Sequence, residues 1–250
     1  MTRRTKERRR ANQHCRNGVR ENPTLKERSC AGQMAERVAS SLDRHPRESG
    51  DPASFLIPPF SGIPAFAGTT IDEWMKLIPH PAFPPASVRS VEVELTATDW
   101  EDVLLDFKIE GEDVAIPGWR TPARTDGLWH STCFEIFLRV PGFETYYEFN
   151  FSPSGLWAAY AFEGYRKGMR DLELAVEPHV EVDSERPLDL SVDLDLSNIP
   201  NVPMLASISA VIEEKDGTKS YWALAHPLGD KPDFHHPDCF VIEFPAARPA

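Results

Sequence analysis

The sequence has only four cysteines in 250 residues, and none of them belongs to a CxxC or CxxCH motif. This spacing disfavours structural zinc and c-type haem attachment. No HxH or HExxH pair occurs, so the His- and Asp-rich stretch 225–238 is predicted to be a proline-rich loop without metal, with a contact to ligand as the second interpretation. Cys133 and Cys239 fall in strand-like stretches, and unpaired thiols of this kind are typical of the reducing cytoplasm. The sequence therefore predicts a cytoplasmic protein without metal ligands.

Long apolar runs and positive charge are also scarce. No apolar run approaches the roughly 20 residues that a membrane-spanning helix needs. Residues 75–250 hold 14 Lys and Arg against 30 Asp and Glu. A surface this acidic repels nucleic acid and anionic membranes. We therefore expect neither nucleic acid nor a membrane among the partners of this protein.

Residues 1–74 differ from the rest of the chain in composition. They begin with an arginine-rich run and end in a stretch rich in Pro, Gly and Phe. The pieces 45-HPRESGDP-52 and 62-GIPAFAGTT-70 resemble peptides that arise when bacterial intergenic repeats are read through as protein. A nucleic-acid-binding arm and an organellar presequence are the alternative interpretations. We expect residues 1–74 to be disordered and dispensable, with Met75 as the true start.

From Met75 onward the sequence alternates apolar and polar residues as β-strands do, and it shows no convincing helical pattern. Short strands separated by turn residues are typical of a two-sheet sandwich. The fold class predicted is therefore all-β, an antiparallel two-sheet β-sandwich formed by one domain, 75–250. The strands are predicted at 88–95, 103–109, 132–140, 143–151, 156–162, 172–182, 188–196, 204–213, 218–225 and 239–244.

Residues 132–151 are predicted to form a hairpin around a Pro-Gly turn. If Val140 pairs with Phe143, one face of this hairpin is apolar and the other collects the polar side chains. In this register Glu135 and Glu148 are directly opposed on the polar face. Two carboxylates so placed are unfavourable unless a cation, a proton or a ligand lies between them.

The third strand of this stretch is predicted to extend the polar face. If Phe151 pairs with Leu156, Trp157 lies beside Asn150 and small alanines follow it. Sugars present apolar C–H faces and a rim of hydroxyls, which suit flat aromatic rings beside amides and carboxylates. The pattern therefore predicts a shallow ligand-binding face rather than a solvated exterior.

The same residues carry a resemblance to a known family. The runs 131-STCFEIFLRV-140 and 146-YYEFNFSPSGLWAAY-160, with the tail 222-WALAHP and KPDFHHPDCF-240, resemble DOMON-like domains and carbohydrate-binding modules of family 9. The resemblance implies a bacterial β-sandwich that binds a sugar or a haem without catalysis. Family 9 modules hold a sugar end between two tryptophans, for which Trp129 and Trp157 are the candidates here. Calcium sites occur in some relatives, whereas no methionine of this chain lies in a haem-ligand motif, so calcium is the more compatible cofactor.

The function predicted is therefore binding of a carbohydrate or a similar small polar ligand on the polar face. No catalytic residue and no metal ligand is assigned. Two alternatives stay open, a glycoside-active hydrolase that uses Glu135 and Glu148 as its carboxylates, and a haem-binding DOMON domain. The candidate ligand-binding residues combine cationic, aromatic and hydrogen-bonding side chains: Arg124, Trp129, Glu135, Glu148, Asn150, Trp157, Arg166 and His235.

Overall fold

The computed structural model describes residues 74–97, 102–183 and 188–244. Within these ranges the regular structure is almost entirely β. The strands are β1 (Met75–Lys76), β2 (Ile78–Pro79), β3 (Ser90–Ala97), β4 (Asp102–Glu110), β5 (Cys133–Arg139), β6 (Tyr146–Phe151), β7 (Trp157–Phe162), β8 (Arg170–Asp171), β9 (His179–Asp183), β10 (Leu188–Asp195), β11 (Met204–Glu213), β12 (Lys219–Ala223) and β13 (Ile242–Phe244).

The strands form two antiparallel sheets. One sheet has the order β1-β3-β4-β10-β9, and the other has the order β2-β12-β11-β5-β6-β7-β8, with β13 paired to the start of β11. Residues from both sheets share one hydrophobic core, so the sheets pack face to face. The predicted antiparallel two-sheet β-sandwich is confirmed.

The alternating pattern of β10 shows how the core forms. Leu188, Leu190, Val192 and Leu194 are buried, and the residues between them are half-exposed. This is the two-residue period that a strand with one face on a core produces. Most of the predicted strands are present in the structure. The predicted strand 172–182 is wrong over its first part, because only 179–183 pairs as β9.

Helical structure in the described ranges is limited to two short 3-10 turns, Leu128–His130 and Pro237–Cys239. No helix there is long and apolar enough to cross a membrane. The predicted disorder of the N-terminal segment concerns residues that lie outside the described ranges, except Trp74. That residue is half-buried, and the Nζ atom of Lys108 lies 3.5 Å from the centroid of its ring.

The register of the β5–β6 hairpin differs from the predicted one by two residues. Glu135 pairs with Asn150, and Phe137 pairs with Glu148. The predicted direct opposition of Glu135 and Glu148 is therefore wrong, and the two carboxyl groups are diagonal neighbours. Because the shift is even, every side chain stays on its predicted face. The hydrophobic pattern cannot distinguish two registers that place the same residues inside.

The register of the β6–β7 hairpin differs by one residue, which reverses the faces of β7. Phe151 pairs with Trp157, and the Ser152 N–H donates to the Leu156 carbonyl at 2.9 Å. Trp157 consequently points into the core between the sheets and is 5% exposed. Its predicted place on the polar face is wrong. All six residues of β7 are buried and apolar or aromatic. Its sequence therefore does not alternate between apolar and polar residues, and it could not indicate the register.

Candidate functional site

The candidate site lies on the outer face of the eight-stranded sheet, the face directed away from the core between the sheets. Strand alternation places two glutamates, an asparagine and two serines there, among aromatic rings that form a second hydrophobic cluster. The residues of this outer face include Cys133, Glu135, Phe137, Tyr146, Glu148, Asn150, Ala158, Tyr160, Phe162, Ser207 and Ser209.

Two segments cover this outer face. The 3-10 turn Leu128–His130 contacts β5 and β6. Residues 233–240, which we call the C-terminal cover, pack on the aromatic rings of the same strands. The ring of His235 lies 5.2 Å from that of Phe137 and 5.7 Å from that of Tyr146. The face that the sequence analysis predicted to be shallow is therefore covered, because these loop residues bury their own apolar rings against it.

Glu135 and Glu148 form a buried carboxyl pair beneath the covering segments. The Ser209 hydroxyl donates to Glu135 Oε2 at 2.8 Å, and the Asn150 amide donates to Glu148 Oε1 at 2.7 Å. The Cys133 thiol lies 3.6 Å from the Asn150 carbonyl oxygen, which orients the amide. All of these hydrogen-bond partners are electrically neutral. The side chains that hold the carboxyl pair in place are thus neutral hydrogen-bond donors.

The burial of this pair changes its titration. Burial raises the pKa of Glu135, and the negative charge of Glu148 raises it further, against the hydrogen bond from Ser209. Burial likewise raises the pKa of Glu148, against the hydrogen bond from Asn150 and the charge of Arg166. A carboxyl group that keeps its proton can donate a hydrogen bond as well as accept one. The pair can therefore bind both hydrogen-bond donors and hydrogen-bond acceptors of a ligand.

His235 faces the carboxyl pair from the C-terminal cover. The Tyr146 hydroxyl accepts the backbone N–H of Arg166 at 3.2 Å and lies 2.8 Å from His235 Nδ1. If the tyrosine donates its proton to Nδ1, the imidazole carries its own proton on Nε2. Burial, with the positive charge of Arg166, lowers the pKa of His235 to about 4, so the ring is neutral at neutral pH.

The Nε2 atom of His235 lies 3.9 Å from Glu148 Oε2. This separation is longer than a hydrogen bond between nitrogen and oxygen. Glu148 Oε2 has no hydrogen-bond donor among the residues that the structure describes. A donor and an acceptor therefore converge at this point without satisfying one another.

Arg166 anchors its loop to the C-terminal cover. Its Nη2 and Nε atoms donate to Asp233 Oδ1 at 2.7 and 3.2 Å, and the Tyr165 hydroxyl donates to the other carboxylate oxygen. The Arg166 backbone has a φ of 53°, in the left-handed region that residues other than glycine rarely adopt. The guanidinium is half-exposed, so this ion pair lies at the rim of the site.

Arg124 and Trp129 approach the site from the β7 side through Tyr160. The Arg124 guanidinium lies 5.2 Å from the centroid of the Tyr160 ring and 3.1 Å from Asp126. The Tyr160 hydroxyl donates to the same aspartate at 2.7 Å. The half-buried ring of Trp129 meets Tyr160 edge-on at 6.1 Å, and Tyr160 is the cross-strand partner of Glu148. Trp129 is therefore separated from Glu148 by the ring of Tyr160.

Seven of the eight predicted site residues are brought to one region, and Trp157 is the exception. Residues that the sequence analysis missed include Ser207 and Ser209. The two serines alternate with apolar residues in β11, so the strand period could have placed them on the outer face. The contacts of Tyr146 and Asp233 depend on loops that meet far apart in sequence, and no local signal reveals them.

The described ranges contain no group of three His, Cys, Asp or Glu side chains placed to hold a metal ion. The carboxyl pair supplies only two such groups. These residues therefore do not fit a calcium site of the ordinary kind, which needs six to eight oxygen ligands.

No family model and no curated protein sequence matches the chain. Solved structures with a similar fold include a candidate carbohydrate-binding protein from Bacteroides uniformis, with a TM-score of 0.53 and 15% identity, covering 67% of this chain and 84% of that one. A family 9 carbohydrate-binding module from Caldicellulosiruptor kristjanssonii was also found, in complex with cellotriose (TM-score 0.41, 11% identity) and with glucose (0.37, 12%). These two cover 68% of this chain and 83% and 85% of the module. At such identities the similarity to the Bacteroides protein supports the β-sandwich fold alone.

Proposed function

We propose that this protein binds a carbohydrate at the outer face, between the turn Leu128–His130 and the C-terminal cover. The observation that carries the proposal is the convergence of two polar atoms, Glu148 Oε2 and His235 Nε2, which lie 3.9 Å apart. A sugar hydroxyl both donates and accepts hydrogen bonds. One hydroxyl oxygen within hydrogen-bonding distance of both atoms would donate to the carboxylate and accept from the imidazole.

The half-buried ring of Trp129 supplies the apolar surface that a sugar ring needs beside its hydroxyls. Arg166 and Asp233 lie at the rim, where further hydroxyls would meet charged partners. The solved structure from Bacteroides uniformis, which shares the fold, is described as a candidate carbohydrate-binding protein, and this agrees with the proposal. Membership among DOMON-like domains, a cytoplasmic location, and the lack of nucleic-acid and membrane partners stay predictions.

The geometry favours binding over hydrolysis. A glycosidase places its two carboxylates on either side of the bond that it breaks. Glu135 and Glu148 are instead diagonal neighbours on adjacent strands, almost fully buried and each hydrogen-bonded to a neutral side chain. We therefore propose that their role is to bind the ligand.

The test is isothermal titration of the protein with a panel of mono- and oligosaccharides that includes glucose and cellotriose. We expect a saccharide to bind, and we expect the His235→Ala variant to lose most of that affinity. His236→Ala is the matched control, because His236 is the next residue and its imidazole instead accepts the backbone N–H of Asp238. Equal losses in both variants, or no binding by any saccharide of the panel, would overturn the proposal.

A further inference from the structure

The site on the outer face is closed in this structure. The side chain of Glu148 is 6% exposed, and that of His235 is 15% exposed. Glu135 beside them is 3% exposed. These fractions measure contact with water, and a sugar ring is much larger than a water molecule. A sugar hydroxyl therefore reaches Glu148 only if a covering segment moves.

The C-terminal cover supplies its own backbone hydrogen bonds. The His236 N–H donates to the Asp233 carbonyl at 3.3 Å, and the Cys239 N–H donates to the His236 carbonyl at 3.0 Å. The Cys239 thiol also donates to the Asp233 carbonyl, at 3.3 Å. Within the described ranges, no backbone hydrogen bond joins the cover to the sheet beneath it. The cover can therefore move as one folded unit without breaking any strand pairing.

The stretch before the cover has the freedom that such a movement needs. Residues 228–231 are exposed, so they have no packing to lose when the cover moves. On the other side, β13 is paired with β11 and holds the chain in place. Opening would expose the rings of Phe234 and Phe240, which are 8% and 6% exposed when the cover is closed. The burial of these rings therefore favours the closed form.

An ion pair fastens the cover to a second loop. This loop, residues 163–168, joins β7 to β8 and is closed by backbone hydrogen bonds between its own residues. From it, the Nη2 and Nε atoms of Arg166 donate to Asp233 Oδ1 at 2.7 and 3.2 Å. The Tyr165 hydroxyl donates to the other carboxylate oxygen. Because the contact joins side chains only and is half-exposed to water, it can break without disturbing the fold of either loop.

We propose that the C-terminal cover is a gate over the carbohydrate site and that the ion pair between Arg166 and Asp233 is its latch. This inference rests on the proposed function. The Tyr146 hydroxyl lies below the latch and contacts both parts, the Arg166 backbone N–H at 3.2 Å and His235 Nδ1 at 2.8 Å. When the latch opens, His235 leaves with the cover and Glu148 becomes accessible. When the cover closes on a bound sugar, His235 returns to the ligand and water is excluded from the site.

The thiol of Cys239 reports the opening, because this residue belongs to the cover and is fully buried when the cover is closed. The experiment uses the full chain with Cys15→Ser and Cys30→Ser, which remove the two thiols outside the described ranges. Labelling of Cys239 by N-ethylmaleimide is followed by mass spectrometry of its peptide. We expect Arg166→Gln to raise the labelling rate about three- to ten-fold, because the closed form loses its latch. The loss of a positive charge alone would raise the pKa of the thiol and slow the labelling instead.

Two control variants separate the gate from other causes. Lys167→Gln removes the same charge from the next residue of the exposed loop, and it should leave the labelling rate unchanged. Val192→Ala weakens the core between the sheets and therefore the whole fold. If Val192→Ala accelerates the labelling as much as Arg166→Gln does, Cys239 is exposed by global unfolding and the gate is overturned. An unchanged rate in Arg166→Gln also overturns it.

The labelling needs no sugar, so its result is independent of the titration with saccharides. A saccharide that binds in that titration should slow the labelling of Cys239, because the bound ligand holds the cover closed. A saccharide that binds without slowing the labelling would overturn the gate and leave carbohydrate binding intact. If no saccharide of the panel binds, the proposed function fails, and the assignment of the cover as a carbohydrate gate fails with it.

Discussion

The two faces of the eight-stranded sheet are both buried, yet they differ in chemistry. The inner face of β5 and β6 presents Phe134, Ile136 and Phe149 to the core between the sheets. The outer face of the same strands presents Glu135 and Glu148 among aromatic rings. Burial of apolar groups stabilises the fold on both sides, but burial of two neighbouring carboxyl groups destabilises it when both are ionised. The outer face therefore carries polar groups at some cost in stability, whereas the inner face contributes to stability alone.

The largest expected effect is a difference in stability between variants of two tryptophans, Trp157 on the inner face of this sheet and Trp129 beside its outer face. Trp157→Ala leaves a cavity in the inner core, so we expect it to lower the free energy of unfolding by about 3–5 kcal/mol. Trp129→Ala removes a half-exposed ring and should cost much less stability while reducing saccharide affinity. Urea unfolding and calorimetric titration of both variants measure the two quantities. If the Trp157→Ala protein kept the stability of the wild type but lost its affinity for saccharides, Trp157 would have to lie on the outer face, against this account.

The next effect concerns the pH dependence of stability. The pKa values of Glu135 and Glu148 are raised in the folded state above their ordinary value of 4.5. Their contribution is therefore fully present below pH 4.5 and is lost as the pH rises through the raised values. The double variant Glu135→Gln/Glu148→Gln removes this loss. We expect it to be more stable than the wild type by about 1–3 kcal/mol at pH 8 and equally stable near pH 4.5.

Chemical unfolding of both proteins at each pH measures this difference. His235, whose pKa is lowered, is present in both proteins, so its own effect on acid stability largely cancels in the comparison. A wild type that is more stable than the double variant at pH 8 would show that the pair is compensated in the folded protein. That result would contradict the account of the outer face.

The smallest effect distinguishes the two outer-face serines of β11. Ser209→Ala removes the donor to Glu135 Oε2, and we expect a loss of about 1–3 kcal/mol because a buried acceptor is left unsatisfied. Ser207→Ala removes a hydroxyl that has no partner in the described ranges, so stability should stay within about 0.5 kcal/mol or rise. Thermal unfolding of the two variants makes the comparison. Equal losses would mean that Ser207 is satisfied in the free protein.

The sequence predicted the fold class and most strands because the two-residue alternation is a local property of each strand. It placed Glu135, Glu148 and Asn150 on the correct face even though the hairpin register was two residues away, since an even shift leaves faces unchanged. It misplaced Trp157 because β7 is apolar on both sides and offers no alternation.

The covering of the outer face could not be predicted from local patterns. His235 meets Tyr146 and Glu148 across about ninety residues of sequence, through a proline-rich loop whose path depends on the packing of its own rings. Local patterns therefore predicted the face of Glu135, Glu148 and Asn150, whereas the burial of these residues under the C-terminal cover depends on contacts between segments far apart in sequence.

The central claim, that the ligand occupies the outer face of the eight-stranded sheet, is tested most directly by the indole N–H resonances of the six tryptophans in a ¹H–¹⁵N spectrum. Glucose and cellotriose would each be added in turn. The account predicts that the Trp129 signal moves and saturates with a binding sugar, while the signals of Trp157 and Trp222, which lie in the inner core, stay in place. Saturable movement of an inner-core tryptophan with a fixed Trp129 signal would contradict it.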